Sequence, residues 1–447
     1  MRYLFITLIC CFYFHINLSA ATLAVLPGES IQAQIDASSA GDIVAIFGGT
    51  YAENITINKA IRLVEVSGQD VILLGGVTFD GVTDAPPFEG FTVGSSGKDI
   101  TIRDTTGLLL RTIDHSAGST VVISGSSDNT KIVECTLANF DPDAGVMELV
   151  DSTVNSTIQQ SGGKLHTSNV TVGGNFNTGD STVYTIAFRT TVNSDCNWYG
   201  NRSWFGYSAA QSFNFYGSNA KVVVVGSTID RGNSEADGIR LHGSLNQFTI
   251  TNSMVVNVRS YYTGDENCID VRGSNSAIII NNYLQKTHTD YHSNNDGNHD
   301  VIYVLDTDSV TIANNICVQS YSGLDDGFVR APFGTTISNN LANGPNGVNN
   351  GATATATISG DPLFVDGDPY QLGEGSPCIN AGTEDPRYND RDGSRNDIGP
   401  SGGAWYDPDG WTTENPVVIA FELSVDQILE GEATPVLLQE GLGVSIP

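Results

Sequence analysis

The residues of this 447-residue chain that are best suited to chemistry lie between positions 237 and 330. Asp270 and Arg272 flank Val271, so in a β-strand both polar side chains project from the same face. His242 is a titratable candidate in the same stretch, because histidine changes charge near neutral pH. A carboxylate, a guanidinium and an imidazole on one surface predict acid–base chemistry on a polar substrate.

A degenerate repeat supplies the elements that must position these side chains. Each copy ends in a β-branched residue, a small residue or Ile, and an Asn followed by Ser or Asn. The copies are Ile250–Ser253, Ile279–Asn282, Ile312–Asn315 and Ile337–Asn340. Repeats of roughly 20–50 residues are typical of solenoids and propellers. An apolar strand closed by Asn predicts stacked coils that carry an Asn ladder.

Alignment of three turns on these Asn residues predicts which side chains stack. One outward column contains Arg240, Asp270 and Tyr303, and the next contains His242, Arg272 and Leu305. Acidic residues recur where the strands begin, at Asp237, Glu266 and Asp300. Because adjacent strands lie about 4.8 Å apart, these carboxylates are predicted to converge on one cation, for which Ca²⁺ is the best match. The alternative is that the acidic residues only cap turns.

Composition excludes several classes of partner. The formal charge is -30, with 20 Lys and Arg against 50 Asp and Glu, so binding to nucleic acid or to an anionic membrane surface is not expected. No segment after the N-terminus is apolar and long enough to span a bilayer. The same charge repels polyanions at long range, although the arginines between positions 189 and 330 allow a local cationic groove.

The N-terminus predicts export. Arg2, the apolar stretch Leu4–Ile16 and the small residues Ser19 and Ala21 have the layout of a secretory signal peptide, which we assign to residues 1–21. A secreted or cell-surface monomer is expected. The five later cysteines are widely spaced and lack a CxxC pair, so burial as small hydrophobes is predicted for them.

The segment from Gln32 to Ile57 carries a family resemblance. Ser30 is a predicted N-cap for a short helix with Ile31 and Ile35 on one face, and short strands follow. This segment resembles the capping helix and first turn of proteins of the pectate-lyase-like superfamily. The resemblance implies an all-β fold, a right-handed parallel β-helix (solenoid), which we assign to residues 22–360.

Two further regions complete the predicted organisation. Residues 361–412 resemble the closing segment of secreted bacterial β-helix proteins, including those with a surface anchor of the choice-of-anchor type. Residues 413–447 are predicted to form a β appendage or the start of a truncated β-sandwich.

The resemblance also implies a chemistry. In pectate-lyase-like enzymes Ca²⁺ bridges an acidic ligand and a uronate carboxylate, and a nearby Arg or Lys removes the C5 proton. The implied catalytic residues are Arg272, His242 and Asp270. The implied Ca²⁺ ligands are Asp237, Glu266, Asp270 and Asp300. Arg240, Tyr303 and Arg330 are assigned to substrate binding, with Trp198 and Trp204 from an aromatic cluster that also contains Tyr199 and Tyr216.

The sequence therefore leaves three functions open. The first is a calcium-dependent polysaccharide lyase acting on a uronate polymer. The second is a glycoside hydrolase in which Asp237 and Asp270 act as general acid and base. The third is a non-catalytic surface or adhesive protein that binds glycans, in which Asp270 and Arg272 only stabilise the sheet. A loop containing His288, His292 and His299 is a further metal candidate.

Overall fold

The computed structural model describes residues 20–66, 68, 70–179, 183–260, 266–288, 300–319, 327–343, 348–349, 352–404, 406–408, 410, 417–422 and 440–444. The signal peptide assigned to residues 1–21 lies almost wholly outside these residues and stays a prediction. Within the described part of the chain, no helix is long and apolar enough to cross a membrane.

The chain winds into a parallel β-helix, as predicted. Each strand pairs in parallel with the strand one turn later: Ile239–His242 pairs with Ile269–Arg272, and that strand pairs with Ile302–Leu305. Because parallel strands must be joined by a crossover, a chain that repeats this pairing with short turns coils into stacked turns. We call each such turn a rung.

Every rung contributes to up to three parallel sheets. The site sheet contains Ile55–Ile57, Val77–Asp80, Ile100–Arg103, Ile158–Gln160, Phe176–Thr178, Asp195–Trp198, Ser212–Phe215, Ile239–His242, Ile269–Arg272, Ile302–Leu305, Val329–Arg330 and Val348–Asn349. The second sheet contains Phe88–Glu89, Leu109–Arg111, Thr130–Val133, Val146–Val150, Arg202–Gly206, Lys221–Val225, Gln247–Thr251, Ser276–Ile280, Ser309–Ala313, Thr336–Ser338 and Thr353–Thr355. The third sheet contains Gly49–Tyr51, Val71–Leu73, Thr92–Val93, Thr153–Val154, Ala209–Ala210, Thr228–Asp230, Met254–Ser260, Tyr283–His288, Ile316–Gln319, Leu341–Asn343 and Ile358–Ser359.

Longer strands and small elements complete the inventory. Four strands bend around a corner and belong to two sheets: Asp114–Ser124, Thr136–Pro142, Lys164–Val172 and Tyr184–Val192. A separate parallel sheet near the N-terminus contains Thr22–Val25, Ile43–Ile46 and Arg62–Glu65. The antiparallel pairs are Phe364–Val365 with Asp368–Leu372, and Val417–Glu422 with Glu440–Val444. The helical elements are the α-helix Ile31–Ala37 and the 3-10 helix Pro386–Tyr388.

The core runs along the inside of the coil. Alternation in each strand sends every second side chain inward, where it packs on its counterparts one rung above and below. Ile239, Ile269 and Ile302 form one buried column, as predicted. At the N-terminal end the Ser30 hydroxyl accepts a hydrogen bond from the backbone N–H of Ala33, and the helix that follows buries Ile31, which confirms the predicted capping helix.

One corner of the coil explains the first Asn of the repeat. Between the second and third sheets one residue per rung adopts a positive φ, which strains most side chains but suits Asn. These residues include Glu134, Asp151, Asn169, Arg189, Tyr207, Asn252, Asn281, Asn314 and Asn339. We call this edge the left-handed corner. In four consecutive rungs its occupant is Asn, with φ of 51° to 56°.

The second residue of each pair forms a ladder inside the corner. Ser253, Asn282, Asn315 and Asn340 are buried and point inward. The backbone N–H of each donates to the side-chain oxygen of the next, at 3.0 Å from Ser253 to Asn282 and at 3.0 Å from Asn282 to Asn315. The predicted Asn ladder is therefore present, and it satisfies backbone donors that would otherwise be buried without a partner.

A C-terminal strap, comprising residues 376–404, 406–408 and 410, runs back along the outside of this corner. Asn339 donates to the carbonyl of Gly382, Asn281 to that of Asp397, and Asn252 to that of Gly402. Further along, the Arg189 guanidinium donates to the carbonyl of Gly410. The segment predicted to close the β-helix thus lies lengthwise over several rungs.

Candidate functional site

The outward face of the site sheet carries the predicted columns in the predicted register. Arg240 lies opposite Asp270, Asp270 opposite Tyr303, and Tyr303 opposite Arg330. His242 lies opposite Arg272 in the neighbouring column. Strand pairing therefore brings together side chains that are up to 90 residues apart in sequence.

A cleft of about 300 Å³ opens on this face. Its lining comprises Glu235, Ala236, Asp237, Arg240, His242, Glu266, Asp270 and Arg272. Six of these are predicted site residues. Arg330 and Tyr303 continue the column beyond the cleft.

Asp270 is the centre of the cleft. Its side chain is 1% exposed and its Oδ1 accepts from Nε of Arg272 at 2.9 Å. Its Oδ2 contacts Nη2 of Arg272 at 2.8 Å and Nε2 of His242 at 3.0 Å. Burial pushes the pKa of Asp270 upward, but the hydrogen bonds from His242 and Arg272 outweigh it and hold the pKa below its ordinary value. Asp270 is therefore a carboxylate at neutral pH.

His242 is oriented by that carboxylate. Because ionised Asp270 only accepts hydrogen bonds, the imidazole in its neutral form carries its proton on Nε2, and Nδ1 then keeps a lone pair. The side chain is 29% exposed, and the ring of Tyr216 meets it edge-on at 6.3 Å between centroids. A histidine held in one tautomer at the lining of a cleft is suited to accept a proton.

Arg272 is held in its charged form. The hydrogen bond to Asp270 is the main reason that the pKa of Arg272 is raised, and its guanidinium also lies 5.0 Å from the centre of the Tyr303 ring. A base requires the opposite shift, so this environment does not favour the implied role of Arg272 in proton abstraction, which stays a prediction. Its fixed charge and 36% exposure suit the binding of an anion.

Asp237 and Asp300 occupy equivalent places two rungs apart. The Asp237 carboxylate accepts from Nε of Arg240 at 2.8 Å, and the Asp300 carboxylate accepts from Nε of Arg330 at 2.7 Å. Each also accepts a backbone N–H of the next rung, that of Asn267 for Asp237 and that of Gly327 for Asp300. Burial raises the pKa of both carboxyl groups above the ordinary Asp value, and the charge of Asp270 raises that of Asp237 further.

This bonding does not fit the predicted Ca²⁺ site. Ca²⁺ takes six to eight oxygen ligands, whereas the oxygens of Asp237, Asp270 and Asp300 already accept from arginines. Over the described ranges, no group of three or more His, Cys, Asp or Glu side chains is placed to hold a metal ion. To bind calcium here, the protein would have to break its own ion pairs.

Lys286 supports the site from inside the coil. It is 1% exposed, and its Nζ donates to the backbone carbonyls of Glu266 at 2.6 Å and Asp300 at 3.3 Å. Those carbonyls belong to the turns that lead into the strands of Asp270 and Tyr303. The sequence analysis missed Lys286, because alternation alone does not distinguish a buried lysine from one at a loop edge.

Two tyrosines extend the face away from His242. Tyr199 and Tyr216 are 43% and 36% exposed, with ring centroids 5.5 Å apart. Tyr216 follows Phe215, which lies opposite Leu241, so Tyr216 and His242 share a column. Beside them, the side chains of Asn177, Asn197 and Asn214 form a hydrogen-bonded amide ladder. Exposed aromatic faces next to amides suit a sugar ring.

Three of the predicted substrate contacts have other roles. Trp198 has no exposed surface and packs in the core between Phe176 and Phe213, so the prediction that it binds substrate is wrong. Trp204 lies on the second sheet, 5% exposed, and does not line the cleft. Tyr303 is mostly buried beneath Arg272 and supports it.

Some candidates fall outside the described residues. His292 and His299 are among them, and the side chain of His288 is not described either. The five cysteines Cys135, Cys196, Cys268, Cys317 and Cys378 are buried and unpaired to one another, as expected.

Comparison with solved structures finds a likeness to a known β-helix enzyme. The crystal structure of pectate lyase Pel9A resembles this chain with a TM-score of 0.32 and 14% sequence identity, covering 86% of this chain and 97% of that one. No protein-family model matches the sequence, and no curated protein is significantly similar to it. The β-helix is established by the strand register, and the likeness carries no information on activity.

Proposed function

We propose that the protein is an exported, carbohydrate-active β-helix that cleaves an acidic polysaccharide by β-elimination on the outward face of its site sheet. The contact between His242 and ionised Asp270 carries this proposal, because it prepares a base inside a cleft that also holds two arginines. Elimination at a uronate needs both a base for the C5 proton and positive charge at the carboxylate that acidifies it.

The reaction follows from this placement. Arg272 and Arg240 bind the uronate carboxylate, and Nδ1 of His242 takes the proton from C5. The electrons of the C5–H bond form the C4–C5 double bond while the C4–O bond breaks. The leaving oxygen takes a proton from the imidazolium, which restores neutral His242. Tyr216 and Tyr199 hold neighbouring sugar units by stacking.

The charge of the cleft limits how such a substrate is held. Glu235 and Glu266 join Asp237 and Asp270 in the lining, so its two arginines do not make it cationic. Long-range attraction therefore contributes nothing, and the chain as a whole repels a polyanion. Recognition instead depends on direct guanidinium hydrogen bonds: Asp270 uses two of the five N–H donors of Arg272.

Hydrolysis is the second candidate, and one observation favours it. The pKa of Asp237 is raised and that of Asp270 is lowered, which is the separation expected of a general acid and a base. Against it, both carboxylates are buried and engaged by arginines. A hydrolase would act on the same face but would add water to the broken bond.

Mass spectrometry of digestion products tests the proposal. Polygalacturonate, alginate and a neutral galactan would be incubated with the protein and with His242→Gln. Elimination produces new chain ends that are lighter by one water than the ends produced by hydrolysis. We expect such ends from the two uronate polymers but not from the galactan, and not when His242→Gln replaces the wild type. Products with the masses expected of hydrolysis would show that the protein is a hydrolase and would reject elimination. Unchanged polymers that nevertheless bind the protein would favour the non-catalytic glycan-binding alternative.

A further inference from the structure

We propose that a second cleft, on the second sheet, binds an acidic segment of the same polysaccharide and extends the binding path around the corner of the coil. This rests on the proposed function for the identity of the polymer. The cleft has a volume of about 560 Å³. The side chains that line it are Val146, Lys164, Tyr184, Asn201 and Arg202.

The cleft lies on a column of cations. Lys164 is opposite Tyr184, Tyr184 opposite Arg202, and Arg202 opposite Lys221. Three of the chain's 20 basic residues thus fall in four consecutive rungs, each about 4.8 Å from the next. Because the chain as a whole carries a net charge of -30, a local group of cations differs from the rest of the surface, and it favours an anionic ligand.

An aromatic surface lies between the cations. The Lys164 ammonium is 5.6 Å from the centre of the Tyr184 ring. Beside it on the same face of the sheet, the ring of Trp204 lies 5.4 Å from that of Tyr184 and is 5% exposed, so one side of Tyr184 packs against a covered ring. An apolar ring flanked by cations matches a uronate unit, which has a C–H face and a carboxylate.

Two glycines leave the floor of the cleft open. Gly145 and Gly163 have φ of +69° and +66°. A Cβ at Gly145 would lie 2.0 Å from the carbonyl oxygen of Ser127, and one at Gly163 would lie 2.4 Å from that of Gly145. The turns of successive rungs therefore pack backbone against backbone, and no side chain fills this part of the cleft.

The position of the cleft links it to the candidate site. The site-sheet strand Asp195–Trp198 ends just before exposed Tyr199, and the second-sheet strand begins at Arg202. Tyr199 and the cleft thus lie on the two sides of one short turn. A polymer that leaves His242 across Tyr216 and Tyr199 reaches the cleft by following this turn.

The test uses a double variant and a control of equal charge. Lys164→Gln with Arg202→Gln removes two cations from the cleft. Arg111→Gln with Lys131→Gln removes two from the same sheet, where they pair with Glu134 and Glu148. Electrophoresis in gels containing polygalacturonate measures binding, kcat/KM is measured on polymer and on a short oligomer, and thermal unfolding checks folding.

We expect the cleft variant to bind the polymer at least fivefold more weakly than the control variant, with kcat/KM on the short oligomer unchanged. Equal binding by the two variants, with cleavage intact, would overturn the second cleft and leave the proposed function standing. If the wild type binds the polymer without cleaving it, and the cleft variant binds it more weakly than the control variant, the second cleft is supported and elimination is rejected. A wild-type protein that neither binds nor cleaves uronates would reject both.

Discussion

The left-handed corner and the outward face of the site sheet are both built from polar columns, yet they use them in opposite ways. At the corner, four rungs repeat Asn, and the side chains are consumed by hydrogen bonds to neighbouring rungs and to the strap. On the site sheet the column changes at each rung, from Arg240 to Asp270 to Tyr303 to Arg330.

The difference separates scaffold from chemistry. A residue type that recurs in every rung answers a need that recurs in every rung, such as a positive φ or a buried backbone N–H. A column that alternates in charge instead places unlike groups about 4.8 Å apart, which is the condition for a shared proton or a bound ion. His242 lies in the neighbouring column, contacts Asp270 of this one, and is 29% exposed.

The largest expected effect is on the site sheet. His242→Gln removes the proposed base while leaving the strand intact, so we expect kcat on a uronate polymer to fall by about 10²–10⁴-fold. The midpoint of thermal unfolding should stay within about one degree of wild type, since surface substitutions change stability little. Lys131→Gln, a surface change on another sheet, serves as the control and should retain full activity.

The corner should respond in the reverse way. Asn315→Ala removes a side chain that accepts from the backbone N–H of Asn282 and donates to the carbonyl of Ile279. Leaving such groups buried without partners should lower the free energy of unfolding by about 3 kcal/mol, as measured by urea denaturation. Activity per folded molecule should not change. Exposed Asn155→Ala is the control, and an equal loss there would refute the assigned role of the ladder.

Asp270 connects stability to pH. Because its folded pKa is lowered, its contribution is present above the ordinary Asp pKa and is lost as pH falls through the lowered value. Asp270→Asn should therefore cost about 2 kcal/mol at neutral pH and weaken the loss of stability in acid. Urea denaturation at several pH values below 5 measures this, and an unchanged acid profile would contradict the ionised assignment.

The strap should depend on the corner by a smaller amount. Asn281 both holds a positive φ and donates to the strap, so Asn281→Gly keeps the first property and loses the second. We expect Asn281→Gly to lower the free energy of unfolding by about 1 kcal/mol and to speed proteolysis of the strap. The Ala variant should lose more, because it also strains the positive φ, whereas a Gly variant as stable as the wild type would show that the hydrogen bonds from Asn281 to the strap contribute nothing.

The smallest effect concerns salt. Because the chain and the cleft are acidic, moderate salt should screen repulsion of a uronate polymer, so KM should fall a few-fold between about 10 and 100 mM sodium chloride. Most polyanion-binding proteins show the opposite trend. A KM that rises over this range would mean that a cationic surface dominates recognition.

The sequence predicted the scaffold better than the site. The Asn repeat specified the rungs and the inward and outward columns, because corner geometry and strand alternation are local properties. It did not separate Trp198 from Tyr199, adjacent residues of which one is in the core and the other is exposed. Nor did it show that the carboxylates would pair with Arg240, Arg272 and Arg330, since that depends on side-chain reach across rungs.

The ultraviolet absorbance of unsaturated uronate ends is the most direct test of the central claim. It would be followed during digestion of polygalacturonate and alginate by the wild type, by His242→Gln and by Lys131→Gln, with and without a calcium chelator. Our account predicts that absorbance rises with the wild type and Lys131→Gln, is nearly abolished by His242→Gln, and is insensitive to the chelator. An undiminished rise with His242→Gln, or loss of activity in the chelator, would contradict it.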